Sequence, residues 1–208
     1  MKRRATAPAS SHAPQGFSLI ELLVVVALIA VLSSLAVLGF GSSRSAGGRS
    51  AADLAASLAL SARVEAMSQG YGSLLAIDNS NDPERKLQRL AVFRFTNSSS
   101  PPELAGRVVP LPRGTFFLPK YSTTNTLIAT NLNLPPGNTS TALLALRFDG
   151  SGQLVEPTSA DLVFGPDIMD SSGNLQGPET MAAARQGFKL RRNGRPVFFK
   201  TPDDMPPK

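Results

Sequence analysis

The sequence predicts an α+β fold, in which a long hydrophobic N-terminal helix, serving as a transmembrane stalk, precedes a small antiparallel β-sheet domain. The helix is predicted by residues 17–40, an almost continuous apolar run in which Glu21 is the only charge. The β domain is predicted by short apolar segments that alternate with turn residues after Gly70. Fifteen of the seventeen prolines follow Asp82, which disfavours long helices in that region.

The apolar run is predicted to span a membrane. The 19 residues from 22 to 40 carry no charge, and a helix over residues 17–40 would be roughly 36 Å long, against about 30 Å for a hydrocarbon core. The alternative, a secretory signal peptide, would have an apolar region of only about 7–15 residues ending at a small-residue cleavage site. Lys2, Arg3 and Arg4 precede the run, which predicts a cytoplasmic N terminus and a C-terminal body outside.

Glu21 needs an explanation because a carboxylate costs about 2.5 kcal/mol or more at the bilayer centre. The apolar run contains no cation to pair with it. Cleavage between Gly16 and Phe17 would make Glu21 the fifth residue of the new chain and would create an α-amino cation at Phe17. These two groups would lie about one turn apart within a helix, and they could pair directly between staggered neighbouring helices.

The stretch GFSLIELLVVVALIAVL, which begins at Gly16 and follows a basic leader, resembles the class III signal of type IV prepilins and pseudopilins. This resemblance implies that prepilin peptidase cleaves after Gly16 and N-methylates Phe17. It also implies that Ser18 is the small polar second residue and that Glu21 is the assembly carboxylate. One departure is visible: many major pilins have a helix-kinking proline, whereas no proline lies between Gln15 and Asp82.

The resemblance implies a non-enzymatic function. The protein would be a minor pilin or pseudopilin that is anchored in inner-membrane lipid as a single-pass protein, with its C-terminal domain periplasmic or extracellular. It would then join other pilins or pseudopilins in a type IV pilus or a type II secretion pseudopilus. The segments LALSARVEAMSQG, LRFDGSGQL and GFKLRRNGRPVFF look like H-type minor pseudopilins and FimT-like minor pilins, and the size and layout are also similar to the D proteins of the Verru_Chthon cassette.

The sequence divides into five predicted regions. They are a leader peptide (1–16), a transmembrane and assembly helix (17–41), a flexible joint (42–50), an amphipathic helix (51–70) and an antiparallel β domain (71–208). The joint is predicted because SSRSAGGRS is small and polar and contains two adjacent glycines. The amphipathic helix is predicted by the four-residue spacing of Leu54, Leu58 and Ala62, with Ala51 and Ala55 beside them in one apolar stripe that packs against the domain.

Seven segments of the β domain are predicted to be strands because they are rich in aliphatic and aromatic residues and are bounded by turn residues. They are GSLLAID, LQRLAVFRF, TFFLP, ALLALRFDG, ADLVF, GFKL and RPVFFK. The stretch YSTTNTLIATNLN is predicted to be a polar loop or a weak edge strand.

The densest basic group after the leader lies in a predicted hairpin that turns at NGR, and it consists of Lys189, Arg191, Arg192 and Arg195. Lys189 and Arg191 would share one face, which makes a compact patch suited to phosphate groups. Some FimT-like minor pilins are thought to bind DNA through such a region, so the alternative function is a membrane-anchored DNA-binding minor pilin acting in DNA uptake. Sparse aromatic residues favour a solvated basic strand over a nucleic-acid site.

Residue types that carry most catalytic and metal chemistry are scarce. The chain has no cysteine, and its only histidine, His12, lies in the leader. A processed chain would therefore have no thiolate or imidazole for nucleophilic catalysis or zinc binding. We predict no enzymatic activity, no cofactor and no metal.

Two acidic stretches resemble calcium loops in composition. DNSNDPE contains Asp78, Asn79, Asn81 and Asp82, but it lacks the spaced glycine and distal glutamate of an EF-hand, and the same residues are common in turns. DIMDSSGN, with Asp167 and Asp170, has the same ambiguity. The formal charge of +6 falls to +3 without the leader, so the basic balance argues only weakly for an acidic partner.

Overall fold

The computed structural model describes residues 19–122, 127–135, 140–176, 184–199 and 204, without the side chains of Glu21 and residues 30–45. It begins with one helix, α1 (Leu19–Gln69). The rest of the described chain is built mainly from antiparallel strands, so the predicted α+β class is confirmed. By its internal contacts the chain divides after Phe40 into two compact units, of which the second is Gly41–Lys208.

The described strands belong to two sheets. In chain order they are β1 (Ser73–Asp78), β2 (Arg89–Arg94), β3 (Glu103–Leu104), β4 (Val109–Pro110), β5 (Thr115–Phe117), β6 (Ile128–Asn133), β7 (Ser140–Phe148), β8 (Leu154–Glu156), β9 (Ala160–Pro166), β10 (Gln186–Leu190) and β11 (Pro196–Phe198). A 3-10 turn, Pro119–Tyr121, follows β5.

The first sheet has the order β3-β2-β1-β7-β6, with β4 also pairing with β2 and β8 with β7. Its central strand β1 is buried on both faces because alternate side chains enter two different apolar clusters. Leu75 and Ile77 join the main core, whereas Leu74 and Ala76 join a smaller cluster on the other face. This explains why SLLAID contains an unbroken apolar run rather than an alternating pattern.

The second sheet has the order β11-β10-β9-β5. Its cohesion comes from a row of aromatic rings that crosses all four strands. The ring centroids of Phe117 and Phe164 are 5.7 Å apart, those of Phe164 and Phe188 are 6.4 Å apart, and those of Phe188 and Phe198 are 5.8 Å apart. Such contacts stabilise neighbouring strands beyond the burial of their area.

Within the second unit, α1 packs on the sheets through an alanine face. Seven alanines form this face, and each is at most 4% exposed. They recur mainly at spacings of three and four residues, and they are Ala51, Ala52, Ala55, Ala56, Ala59, Ala62 and Ala66. Leu54 and Leu58, predicted to lead the buried stripe, are only partly buried beside it. Small side chains bring the helix axis close to the sheet, and the Ser73 hydroxyl accordingly donates to the Ala62 carbonyl at 2.6 Å.

The helix is continuous through residues 42–50, where the sequence predicts a joint between two helices. The two glycines of this stretch lie at close approaches. A Cβ atom at Gly48 would come within 2.4 Å of the Ala184 carbonyl oxygen, and one at Gly47 within 2.9 Å of the Thr115 Oγ1 atom. The structure therefore assigns these glycines a packing role, and flexibility of the stretch stays a prediction.

All seven predicted strands are present, as β1, β2, β5, β7, β9, β10 and β11. The stretch predicted to be a polar loop or a weak edge strand forms edge strand β6 over Ile128–Asn133, and its residues 123–126 lie outside the described residues. The two-residue strands β3 and β4 were not predicted, because PPELAGRVVP contains three prolines and one glycine, which disfavour strands.

A buried ion pair ties β1 to β2. The carboxylate of Asp78 is fully buried, and it accepts a hydrogen bond from Arg89 Nε at 2.7 Å and a second one from Arg89 Nη2. Its other oxygen accepts from the Ser80 amide at 2.9 Å. Removing the guanidinium would leave an uncompensated buried charge, which is far more costly than losing an exposed pair.

We predict that Arg89→Met lowers the free energy of unfolding by about 3–5 kcal/mol, because Asp78 loses its cation while buried. The matched control is Arg85→Met, which breaks the Arg85–Asp82 pair, whose side chains are 41% and 39% exposed; it should cost at most about 1 kcal/mol. Urea unfolding followed by circular dichroism measures both. Equal losses would contradict the role given to the buried pair.

Candidate functional site: the N-terminal segment and the basic turn

The predicted processing residues lie at the start of the chain. Gly16, Phe17 and Ser18 fall outside the described residues, and Glu21 is described only as helical backbone within α1. Cleavage after Gly16 and the pairing of Glu21 with an amine therefore stay predictions.

The first described turns of α1 expose large apolar side chains around their whole circumference. Nine side chains between positions 19 and 29 are 45–81% exposed; they are Leu19, Ile20, Leu22, Leu23, Val24, Val25, Val26, Leu28 and Ile29. Consecutive residues point about 100° apart on a helix, so such a run has no polar side. An exposed apolar surface of this kind marks a site of contact with lipid or protein.

The predicted membrane span, residues 17–40, lies only partly within the described residues. Across the described part of the chain, the helices fall short of the combined length and apolarity that a membrane span requires.

A second exposed apolar surface lies on the part of α1 that belongs to the C-terminal unit. Leu60, Val64 and Met67 are 41%, 59% and 42% exposed and recur at spacings of four and three residues. Their positions place this stripe roughly 130° around the helix axis from the alanine face. The packing of α1 on the sheets leaves Leu60 and Val64 uncovered, whereas Met67 also lies near Gly152, where an added Cβ atom would come within 2.8 Å of Met67 Cγ. We call these three residues the outer stripe.

The basic hairpin forms as predicted, with β10 and β11 joined by the turn 191–195. The Gly194 amide donates to the Arg191 carbonyl at 2.8 Å, and the Arg191 amide donates to the Arg195 carbonyl at 3.2 Å. Arg191, Arg192 and Arg195 are exposed on this turn. Lys189 lies on β10 and pairs with Asp161 of β9, with Nζ and Oδ1 3.4 Å apart. That pairing compensates the charge of Lys189, so the cationic character belongs to the turn.

The structure adds Arg63, which sequence reasoning missed, to this basic turn. Arg63 is on α1, and its Nε donates to the Gly152 carbonyl at 3.2 Å. A Cβ atom at Gly194 would come within 2.7 Å of Arg63 Cδ, so the turn lies directly against this arginine. Because Arg63 and the turn are far apart in the sequence, no local pattern could have linked the two.

An acidic turn between β7 and β8 adjoins the same region. Asp149 accepts hydrogen bonds from the Ser151 hydroxyl at 2.6 Å, the Ser151 amide at 2.9 Å and the Gln153 amide at 3.0 Å. Partial burial alone would raise the pKa of Asp149, but these hydrogen bonds and the charge of Arg192 hold that pKa below its usual value. Asp149 therefore stays ionised beside the basic turn, and it offsets part of the charge of Arg192.

The acidic stretches that resemble calcium loops form ordinary turns. Asp78 is committed to Arg89, and Asp82 accepts from the Glu84 amide at 3.0 Å and pairs with Arg85. Asp170 accepts from the Asn174 amide at 2.8 Å, and this and further hydrogen bonds lower its pKa. Within the residues that the structure describes, no three acidic, histidine or cysteine side chains form a group able to hold a metal ion.

The structure is similar to two crystal structures of the type IV minor pilin FimU of Pseudomonas aeruginosa. The first has 17% sequence identity and a TM-score of 0.46, and the alignment covers 76% of this chain and 92% of that one. The second has 16% identity and a TM-score of 0.45, and it covers 76% of this chain and 96% of that one. Among curated proteins, none matches the sequence.

The N-terminal sequence matches a family model. Residues 12–37 match the prokaryotic N-terminal methylation motif. The matched segment contains Gly16, Phe17, Ser18 and Glu21, together with the exposed apolar part of α1. The chain therefore carries the N-terminal methylation signal of type IV prepilin-like proteins.

Proposed function

We propose that this protein is a minor pilin or pseudopilin, a non-enzymatic subunit of a type IV pilus or a type II secretion pseudopilus. Prepilin peptidase cleaves it after Gly16 and methylates Phe17. The helix over residues 17–40 anchors it in the inner membrane, with its C-terminal unit outside, until it enters a filament with other pilins. The observation that carries this proposal is the N-terminal methylation motif over residues 12–37.

The exposure of the apolar helix supports assembly by helix bundling. Removing a large aliphatic side chain from water contributes roughly 1.5–3 kcal/mol, and nine such side chains are exposed between Leu19 and Ile29, so they are expected to be covered by lipid or by other helices. Because they surround the helix, lipid tails can cover them before assembly and neighbouring helices can cover them afterwards. The outer stripe offers a further apolar surface on the same helix.

Glu21 gives the bundle its register. Apolar contacts between two helices are similarly favourable at many axial offsets, so they do not fix the axial position of one subunit against the next. A carboxylate among apolar side chains is costly unless it meets a cation, and the nearest cation that processing creates is a Phe17 amine. Pairing with the amine of a neighbouring subunit favours one stagger and makes assembly depend on cleavage.

We predict that Glu21→Ala leaves cleavage and membrane insertion intact but abolishes incorporation into filaments, because the register-setting charge is removed. Leu22→Ala is the control, because this substitution shortens the apolar side chain next to Glu21 and leaves the charge of Glu21 in place. Mass spectrometry of the N terminus, membrane fractionation and immunoblotting of sheared filaments measure the three steps. Normal incorporation of Glu21→Ala would contradict the role of Glu21, and a chain that still begins at Met1 in a competent host would contradict the processing.

DNA binding in DNA uptake is a second candidate function. The observation that favours it is the exposed turn with Arg191, Arg192 and Arg195, against which Arg63 lies. Guanidinium groups clustered on a protruding turn suit contact with phosphates, which supplies affinity without base readout. The ion pair of Lys189 and the ionised Asp149 reduce the net charge of the region.

If the turn binds DNA, Arg191→Ala/Arg195→Ala should weaken binding of the full chain to duplex DNA at low salt. It should also reduce the magnitude of the negative slope of log affinity against log salt by up to about 1.8, since each phosphate that is no longer neutralised accounts for about 0.9. The control Arg107→Ala/Arg113→Ala removes the same charge from two other exposed arginines. Equal weakening in both variants would mean that only net charge matters. Absence of binding at about 50 mM salt would remove this function, since phosphate contacts are strongest there.

A further inference from the structure

The basic turn contains an asparagine followed directly by a glycine, Asn193 and Gly194, and this pair occurs only once in the sequence. Asn193 is exposed, and Gly194 has a φ of 71°, in the left-handed region that favours glycine. A bond between the side-chain carbon Cγ of Asn193 and the backbone nitrogen of Gly194 would close a five-membered ring. Because glycine has no Cβ atom, no side chain on the second residue obstructs that approach.

The turn holds the side-chain oxygen of Asn193 in a hydrogen bond. The Arg195 amide donates to Asn193 Oδ1 at 3.1 Å. When a nucleophile attacks Cγ, negative charge develops on this oxygen, and a backbone N–H already in place at such a distance stabilises that charge. The exposed guanidinium groups of Arg191, Arg192 and Arg195 add positive charge to the same turn. The surroundings of Asn193 therefore favour an anionic intermediate.

One hydrogen bond restrains the attacking atom. The Gly194 amide donates to the Arg191 carbonyl at 2.8 Å, and Gly194 is buried against Arg63. The amide must lose its proton before its nitrogen can attack, so this hydrogen bond has to open first. Opening one surface turn costs much less free energy than unfolding the whole domain. The turn therefore sets the rate of the reaction without preventing it.

We propose that Asn193 is a site of spontaneous deamidation, a covalent modification that consumes only water. Hydroxide removes the Gly194 amide proton, and the nitrogen then forms a bond to Asn193 Cγ. The bond from Cγ to Nδ2 breaks, and ammonia leaves after taking a proton from water, which regenerates hydroxide. A second water opens the succinimide ring at either carbonyl carbon and leaves aspartate or isoaspartate. The net change is one water added and one ammonia lost, with no oxidation or reduction.

The product alters the basic turn, and this inference does not depend on the proposed function. Either product places a carboxylate among Arg191, Arg192 and Arg195, so the net charge of the turn becomes less positive by one. Isoaspartate also adds a methylene group to the backbone, which disturbs the hydrogen bond from the Arg191 amide to the Arg195 carbonyl. The modification therefore weakens the cationic character of the turn irreversibly as the protein ages.

The test incubates the folded full chain in detergent at mildly alkaline pH and follows each asparagine by peptide mapping and mass spectrometry. Asn97 is the internal comparison, because it is exposed and its Oδ1 accepts from the Ser99 amide at 2.8 Å, but a serine with a Cβ atom follows it. Asn193 should convert about tenfold faster than Asn97, which corresponds to about 1.4 kcal/mol in activation free energy. The deamidated chain should also elute earlier from a cation-exchange column.

Asn193→Gln is the matched variant, because it keeps an amide at the exposed position but moves the attacked carbon one methylene away, so the ring would have six members. This variant should lose the early-eluting species. An unmodified Asn193 at a time when Asn97 has converted would overturn the proposal. Equal rates at Asn193 and Asn97 would overturn the advantage given to the glycine and the turn, and an undiminished early-eluting species in Asn193→Gln would overturn the location.

Discussion

The close packing of alanine side chains between α1 and the two sheets is the constraint on which the C-terminal unit depends. These alanines are almost fully buried in one core with side chains from both sheets. Gly47 and Gly48 extend the same close approach toward the N terminus of the unit. A larger side chain such as leucine at Ala59 would force the helix off the sheet, since packed interiors tolerate added volume poorly. One face of α1 is thereby fully used, and the outer stripe stays exposed.

The strands were largely predictable from sequence because local composition decides them. Segments such as TFFLP and ADLVF combine aliphatic or aromatic residues with proline or glycine boundaries, and they form β5 and β9. The alanine face was predicted only in part, since Ala51, Ala55 and Ala62 of the predicted stripe are buried. Leu54 and Leu58 have the larger hydrophobicity, but the distance between helix and sheet, which sequence does not reveal, selects the small residues. Gly47 and Gly48 were interpreted as a flexible joint because the sequence does not reveal that both glycines lie against other segments of the chain.

The candidate sites differ in how far sequence reveals them. The N-terminal signal is contiguous, so its resemblance to the class III signal predicts roles for Gly16, Phe17 and Glu21 without knowledge of the fold. The basic turn was located from its local charge density, but Arg63 comes from a distant helix, and the ion pair of Lys189 depends on the register of β9 and β10. The pair Asn193 and Gly194 is visible in the sequence, but the hydrogen bond that holds the Asn193 oxygen depends on the folded turn.

The proposed assembly by helix bundling predicts that neighbouring subunits cover the outer stripe once the processed chain enters a filament. Because the chain has no cysteine, Val64→Cys supplies a single thiol on that stripe, and Ser98→Cys supplies one on an exposed loop of the β domain. Maleimide labelling should modify both thiols in the unassembled subunit. In intact filaments the account predicts protection at position 64 and continued labelling at position 98. Equal labelling of both positions in filaments would contradict it.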